Sequence, residues 1–213
     1  MKKFFFYLIP VPLIVLSLFI GPSDIVTSSD ILRWVEQRAG LIADQRADAD
    51  LMVDAIVLNV RLPRILLTFL VGAALTMSGS ALQALFRNPL VSPDILGLSA
   101  GAAFGAALAL AVNGLPLQPM AFACGLLAVG TSYFIARSSR SVSTVSLILS
   151  GIIVSGIFTA GLTIIQFLTD PFRLQTIVHW TMGNLHNAGW PKIASSVLPI
   201  AIGCMWLLVI RWR

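Results

Sequence analysis

The chain has 213 residues, 57% of them hydrophobic and 11% charged, with a net charge of +5 and a mean hydropathy of +0.91. Soluble domains carry about 25% charged residues, and here twelve of the charged residues crowd into positions 21–64. The long uncharged stretches exclude a water-soluble surface and a disordered chain, and no basic face is long enough for nucleic acid. What remains is an all-α, polytopic membrane helix bundle.

A spanning helix needs about 17–25 mostly apolar residues, and six segments qualify: Phe4–Ile20, Ile65–Phe86, Ile95–Val112, Met120–Ala136, Val142–Thr169 and Ile193–Ile210. The first follows Lys2 and Lys3, as a secretory signal would. Its apolar run is long for a signal and no A-x-A-like site follows, so it reads as an uncleaved first helix. With the N-terminus in the cytoplasm, the inner side receives Lys2, Lys3, Arg87, Arg137, Arg140, Arg211 and Arg213 against one acid, Asp94. The basic residues of the outer side sit mostly in one long loop that also holds most of the acids, so the short loops favour this orientation.

The loop at 21–64 carries its own helical signals. Ser29 or Asp30 can cap a helix over Ile31–Gly40, and Asp50–Val60 is a second amphipathic candidate. At its end Arg61-Leu-Pro-Arg64 marks the entrance to the second span. Pro63 is tolerated at a helix start, and the two guanidinium forks suit carboxylates of a docking partner. Snorkelling toward lipid headgroups is the bland alternative.

Between the second and third spans lies Arg87-Asn-Pro-Leu-Val-Ser-Pro-Asp94, a turn stiffened by two prolines, in which Ser92 or Asp94 can cap the next helix. The third span then places Gly97, Gly101 and Gly105 four apart, a smooth stripe for close helix packing. The second and fifth spans are also rich in Gly, Ala and Ser. Residues 137–144, with Ser143 and Thr144 at their end, read either as a loop capping the fifth span or as a second gating segment. In 170–192, Pro171 can open a short helix over Phe172–Met182 that ends at Gly183; Trp34, Trp180 and Trp190 suit interfacial depth.

No span carries an ionisable residue, which argues against proton or ion coupling. Gln83 and Gln166 are the strongly polar residues within spans, and each reads as an interhelical hydrogen bonder. Cys124 and Cys204 read as inert core thiols. His179 and His186 lack neighbours of metal-ligand type, so neither a metal nor a cofactor is expected. No nucleophile–base pairing, phosphate loop or carboxylate dyad points to an enzyme.

The stretch Arg61–Gly105, RLPRILLTFLVGAALTMSGSALQALFRNPLVSPDILGLSAGAAFG, closely resembles the FecCD-type permeases of ABC importers for iron–siderophore complexes, haem and cobalamin. Leu147–Gly161 and His179–Trp190 (HWTMGNLHNAGW) look like that family too. The resemblance implies a single permease domain of about ten spanning helices, of which 1–213 would be the first six, in the bacterial cytoplasmic membrane. It implies a homologous permease partner as homo- or heterodimer, cytoplasmic ATPase subunits that carry out ATP hydrolysis, and a periplasmic or lipid-anchored binding protein. By the same resemblance Arg61 and Arg64 would dock the binding protein, while Asn88 and Leu90, with Ser143 and Thr144, would form cytoplasmic constrictions. The family's coupling helices would follow the sixth span, just where this sequence stops. Two rival readings are an ion-coupled secondary carrier, which needs an intramembrane charge and inverted repeats, and a truncated fragment that transports nothing.

Overall fold

The computed structural model describes residues 9–20, 26–39, 48–89, 91–112, 114–138, 143–185 and 187–210. Part of the first span, Gly40, Leu90, Val142 and His186 therefore lie outside the described residues. The described residues form nine α-helices: α1 (Pro10–Phe19), α2 (Ser28–Arg38), α3 (Asp48–Ile56), α4 (Leu62–Phe86), α5 (Leu98–Ala111), α6 (Leu117–Ser138), α7 (Thr144–Leu168), α8 (Pro171–Thr181) and α9 (Trp190–Ile210). A π-helical turn, Val57–Arg61, joins α3 to α4, and a 3-10 turn, Pro93–Leu96, precedes α5. Among the described residues four helices are long and apolar enough to cross a membrane: Leu51–Phe86, α6, α7 and α9. The fourteen-residue α5 is apolar but shorter.

The chain divides into two compact units, residues 1–74 with 185–213, and residues 75–184. The first has a small core of Val26, Ile31, Val53 and Val57, flanked by Leu18, Phe19, Trp34 and Ile56. It closes α2 on α3. The Trp34 indole donates to the Asp54 carboxylate, Arg38 pairs with Asp54 at 3.1 Å, and the Arg38 guanidinium lies 5.5 Å over the Trp34 ring. That exposed ion pair stabilises little; the apolar contact does most of the holding. Trp34 is thus a packing residue of this pair.

Pro63 does not open a helix as the sequence suggested. It lies fully buried inside one continuous helical rod. A proline within a helix lacks the N–H for the ladder and crowds the carbonyl one turn back. The rod answers with the π turn: the Leu62 N–H reaches the Val57 carbonyl, five residues back. In that register Leu58 would be served by residue 63, which has no N–H. The Trp190 indole supplies the missing donor at 3.1 Å. Trp190 therefore binds backbone, and it ties the start of α9 to the rod. Nearby, Leu67, Ala188 and Ile193 form a second apolar cluster.

In the second unit α5, α6 and α7 pack mutually, and α8 packs on α5. The α5–α6 contact is set by glycine. A Cβ on Gly101 would lie 2.5 Å from the Cys124 carbonyl oxygen, and one on Gly105 would lie 2.4 Å from that of Met120. Phe104 fills the space beside Gly161 and meets Phe158 edge-on, 5.5 Å between ring centres. Asp170 caps α8, accepting from the Phe172 and Arg173 amides at 3.1 Å each, and Gly183 follows it at φ +70°.

Replacing Trp190 with Phe should lower stability by about 1 kcal/mol, the usual net worth of one hydrogen bond. With Pro63→Ala already present the same change should cost much less, because an alanine brings its own N–H. Thermal unfolding of the four-variant cycle in detergent measures this, and equal costs in both backgrounds would refute it.

Candidate functional site

Two places hold the residues singled out in the sequence. The first is Arg61–Arg64, in the first unit. Arg61 sits in the π turn and is 9% exposed. Its Nη1 donates to the Leu18 carbonyl at 2.8 Å and its Nη2 to the Val26 carbonyl at 3.3 Å. Leu18 lies in the last turn of α1 and Val26 just before α2, positions whose carbonyls a regular helix ladder does not serve. One planar fork thus joins the end of α1, the start of α2 and the α3–α4 rod. Arg64, half-buried, lines a cleft of roughly 360 Å³ with Pro10, Leu13, Ile14 and Ser17 of α1 and Ile65, Thr68 and Phe69 of α4.

Immediately after Val26, α2 begins at a capping box two residues earlier than Ser29, and three earlier than Asp30, would place it. The Thr27 N–H donates to the Asp30 carboxylate at 2.8 Å, so Thr27 is the cap and Asp30 its reciprocal partner. The Thr27 backbone N–H, then its hydroxyl, holds the Asp30 carboxyl below its ordinary value of 3.8.

The second place is the turn after α4, in the second unit. The chain reverses there with Arg87 at φ 49°. The Gln83 side-chain amide donates to the carbonyls of Pro89 (3.1 Å) and Val91 (3.4 Å), and the Asn88 N–H returns to the Gln83 carbonyl at 3.2 Å. Gln83, expected to bond between helices, instead builds its own turn; two proline-stiffened carbonyls facing away from any ladder need a side-chain donor. Asn88 is half-buried within this turn.

The turn continues into the Pro93–Leu96 3-10 helix and ends at Gly97, φ +82°. The helix start expected at Ile95 is therefore delayed to Leu98. Gly97 is required for its left-handed backbone as well as for packing: a Cβ there would also meet Ser155 Oγ at 3.2 Å. Asp94 does not cap α5. Its carboxylate accepts from the Ser99 hydroxyl. Ser143 caps α7, its Oγ accepting the Ser146 N–H at 3.0 Å, and Thr144 is the exposed first residue of that helix.

Sequence reasoning passed over Ser132, and it read Gly151 only as one of the small packing residues of the fifth span. Ser132 of α6, fully buried, has its hydroxyl 3.0 Å from the Leu96 carbonyl of the 3-10 turn and 3.0 Å from the Ala128 carbonyl of its own helix. Gly151 of α7 lies under the same turn. A single serine in an apolar helix gives no sequence signal, whereas Gln83, six residues before Pro89, offers one. Among the described residues no three His, Cys, Asp or Glu side chains come together as a metal site would need.

Residues 8–213 match the FecCD transport family. The chain is a member of that family. It is 37% identical over 171 residues to the molybdate import system permease protein MolB of Haemophilus influenzae, covering 78% of this chain and 50% of that one. It is 38% identical over 160 residues to a probable iron chelatin transport system permease protein of Helicobacter pylori, covering 74% and 48%. To the cobalamin import system permease protein BtuC of Halobacterium salinarum it is 37% identical over 156 residues, covering 72% and 42%. It thus spans about half the length of the curated relatives it matches. A solved chain, assigned to a metal-chelate type ABC transporter in an inward-facing conformation, superposes with a TM-score of 0.78 at 32% identity, covering 100% of this chain and 63% of that one. This FecCD chain is a multi-pass protein of the inner membrane.

Because Asp30 is held below its ordinary value, it contributes to the start of α2 above about pH 3.8. That contribution is lost as pH falls through its lower folded value. Amide exchange at residues 28–31 should therefore quicken, relative to intrinsic rates, only below that range. In Asp30→Asn it should be fast at every pH; exchange in the variant that matches the parent at neutral pH would refute the cap.

Proposed function

We propose that this FecCD chain is the permease part of an ABC importer that carries a ferric chelate of the siderophore class through the inner membrane by alternating access. The observation that carries the reading is the family match over residues 8–213, joined to relatives named as import permeases. The ferric chelate is preferred because a similar Helicobacter pylori protein is named for iron chelatin and the solved neighbour for metal chelates. Energy would come from separate cytoplasmic ATPase subunits, and the cargo from a periplasmic or lipid-anchored binding protein. A second permease subunit, identical or homologous, would complete the pathway.

In this reading the N-terminus is cytoplasmic, Asn88 and Leu90 form one cytoplasmic constriction, and Ser143 and Thr144 form another. Cargo would pass small hydroxyl-bearing and apolar surfaces, with no titrating group required in the spans. Arg61 and Arg64 would serve docking in different ways. Arg64 contributes charge toward acidic groups of the binding protein, and Arg61 fixes the outer helices on which docking occurs. Guanidinium forks suit both tasks, bidentate on carboxylate or spread over two carbonyls.

The assembled importer in proteoliposomes tests the proposal by ATP-dependent uptake of a radiolabelled ferric siderophore. Uptake that follows an ion gradient and ignores ATP would overturn it. Arg64→Glu should weaken binding-protein docking at least about tenfold at low salt, with the difference shrinking as salt rises. Arg61→Lys keeps the charge but loses the fork, so it should lower the thermal midpoint while leaving docking of the folded protein near normal. Docking unchanged in Arg64→Glu, or abolished in a fully stable Arg61→Lys, would reverse these roles.

A further inference from the structure

The two segments assigned as constrictions share one support. The 3-10 turn that follows Asn88 rests on α6 and α7 at two points. The Ser132 hydroxyl of α6 lies 3.0 Å from the Leu96 carbonyl, and Gly151 of α7 lies so close beneath the turn that a Cβ there would fall 2.0 Å from the Ile95 carbonyl oxygen. The start of α7, where Ser143 and Thr144 sit, is tied to the same helix: the Ser146 hydroxyl donates to the Ala136 carbonyl of α6 at 3.3 Å. Ser132 and Ala136 are four residues apart, so both ties leave adjacent turns of one face of α6.

We propose that the 91–97 turn, which follows Asn88, and the first turns of α7 move as a single body held by α6, with Ser132 and Gly151 as the positioning residues that couple the two constrictions. Carbonyls in a 3-10 turn lack the regular ladder, and in an apolar surround an unserved one is costly. The Ser132 hydroxyl therefore prefers to keep Leu96 in place. Gly151 fixes the height of the turn over α7, because backbone meets backbone there and neither can yield by a side-chain rotation. Gly97 completes the seat, since a residue with a Cβ would be strained at φ +82°. A displacement of α7 thus carries the turn with it. The inference rests on the reading of these segments as gates.

Spin labels at Ser92→Cys and Val145→Cys, both exposed positions, test it in a background of Cys124→Ala and Cys204→Ala. The labelled chain is diluted with unlabelled chain in the assembled importer. The Ser92–Val145 distance distribution should be the same without nucleotide and with ATP trapped. Ser132→Ala should broaden it in both states. Gly151→Ala should shift it by an ångström or more, the least movement that clears a 2.0 Å approach to beyond 3.0 Å.

A parent distance that changes on ATP trapping overturns the coupling. So does a Ser132→Ala distribution as narrow as the parent's, even if Gly151→Ala fails to fold. A single label at Val145 reports separately on its counterpart in a second permease subunit. If that distance ignores ATP, alternating access is wrong, while the two variants still decide whether the seat exists.

Discussion

A carbonyl that leaves its helix ladder needs another donor, and most of all where water does not reach it. Much of this structure consists of side chains that meet that demand. The proline at 63 strands Leu58, and the Trp190 indole serves it. The ends of helix and loop strand Leu18 and Val26, and the Arg61 fork serves both. Turn carbonyls at Pro89 and Val91 take the amide of Gln83, Leu96 lies beside Ser132, and Ala111 at the end of α5 takes Arg173 at 2.6 Å. Each donor lies on a different element from its acceptor or across a chain reversal. Satisfying the backbone is therefore also what fastens the elements together.

The remaining fastening comes from the absence of side chain. Gly101 and Gly105 let α5 approach α6 until backbone nearly meets side chain and backbone. In lipid, such contacts take the place of the hydrophobic driving force, which has little to act on between helices. The last helix of the first unit shows the complementary pattern. On α9 only Ile193 is buried, while Leu198, Ile202, Met205 and Trp206 stand exposed. Apolar surface of that kind fits hydrocarbon or further protein, and it would not persist in water.

The long helices were legible because length and hydropathy report burial in lipid directly. Helices α6, α7 and α9 extend a few residues beyond or within the spans expected for them, as capping by Ser143 and by other polar residues decides ends that hydropathy does not mark. The glycine stripe was legible for the same reason, since spacing alone places Gly101 and Gly105 on one face. What failed was the reading of individual polar residues. Pro63 looked like a helix start because the sequence does not reveal that a π turn precedes it. Arg61 looked like a surface residue because its carbonyl acceptors are 43 and 35 positions away in the chain, and the backbone tie of the exposed Trp190 spans 132 positions. Gln83 was judged by its span, whereas its acceptors sit in the next turn. Hydrogen-bond donors are easy to find in a sequence. Acceptors stranded by backbone geometry are visible only in three dimensions.

The length of α5 has a further consequence. Fourteen residues rise about 21 Å, some 10 Å less than a typical hydrocarbon layer. A lone helix so short would thin the bilayer around it. Here Gly101, Gly105, Ala106, Ala107 and Ala109 are all buried, so α6 and α7 stand between much of α5 and the lipid. Were α5 to cross the layer, the mismatch would pass from lipid to protein, and at least one of its ends would lie within the hydrocarbon depth beside α6 and α7. Changes in membrane thickness should therefore act on the long outer helices first and reach the 93–97 bend only through them.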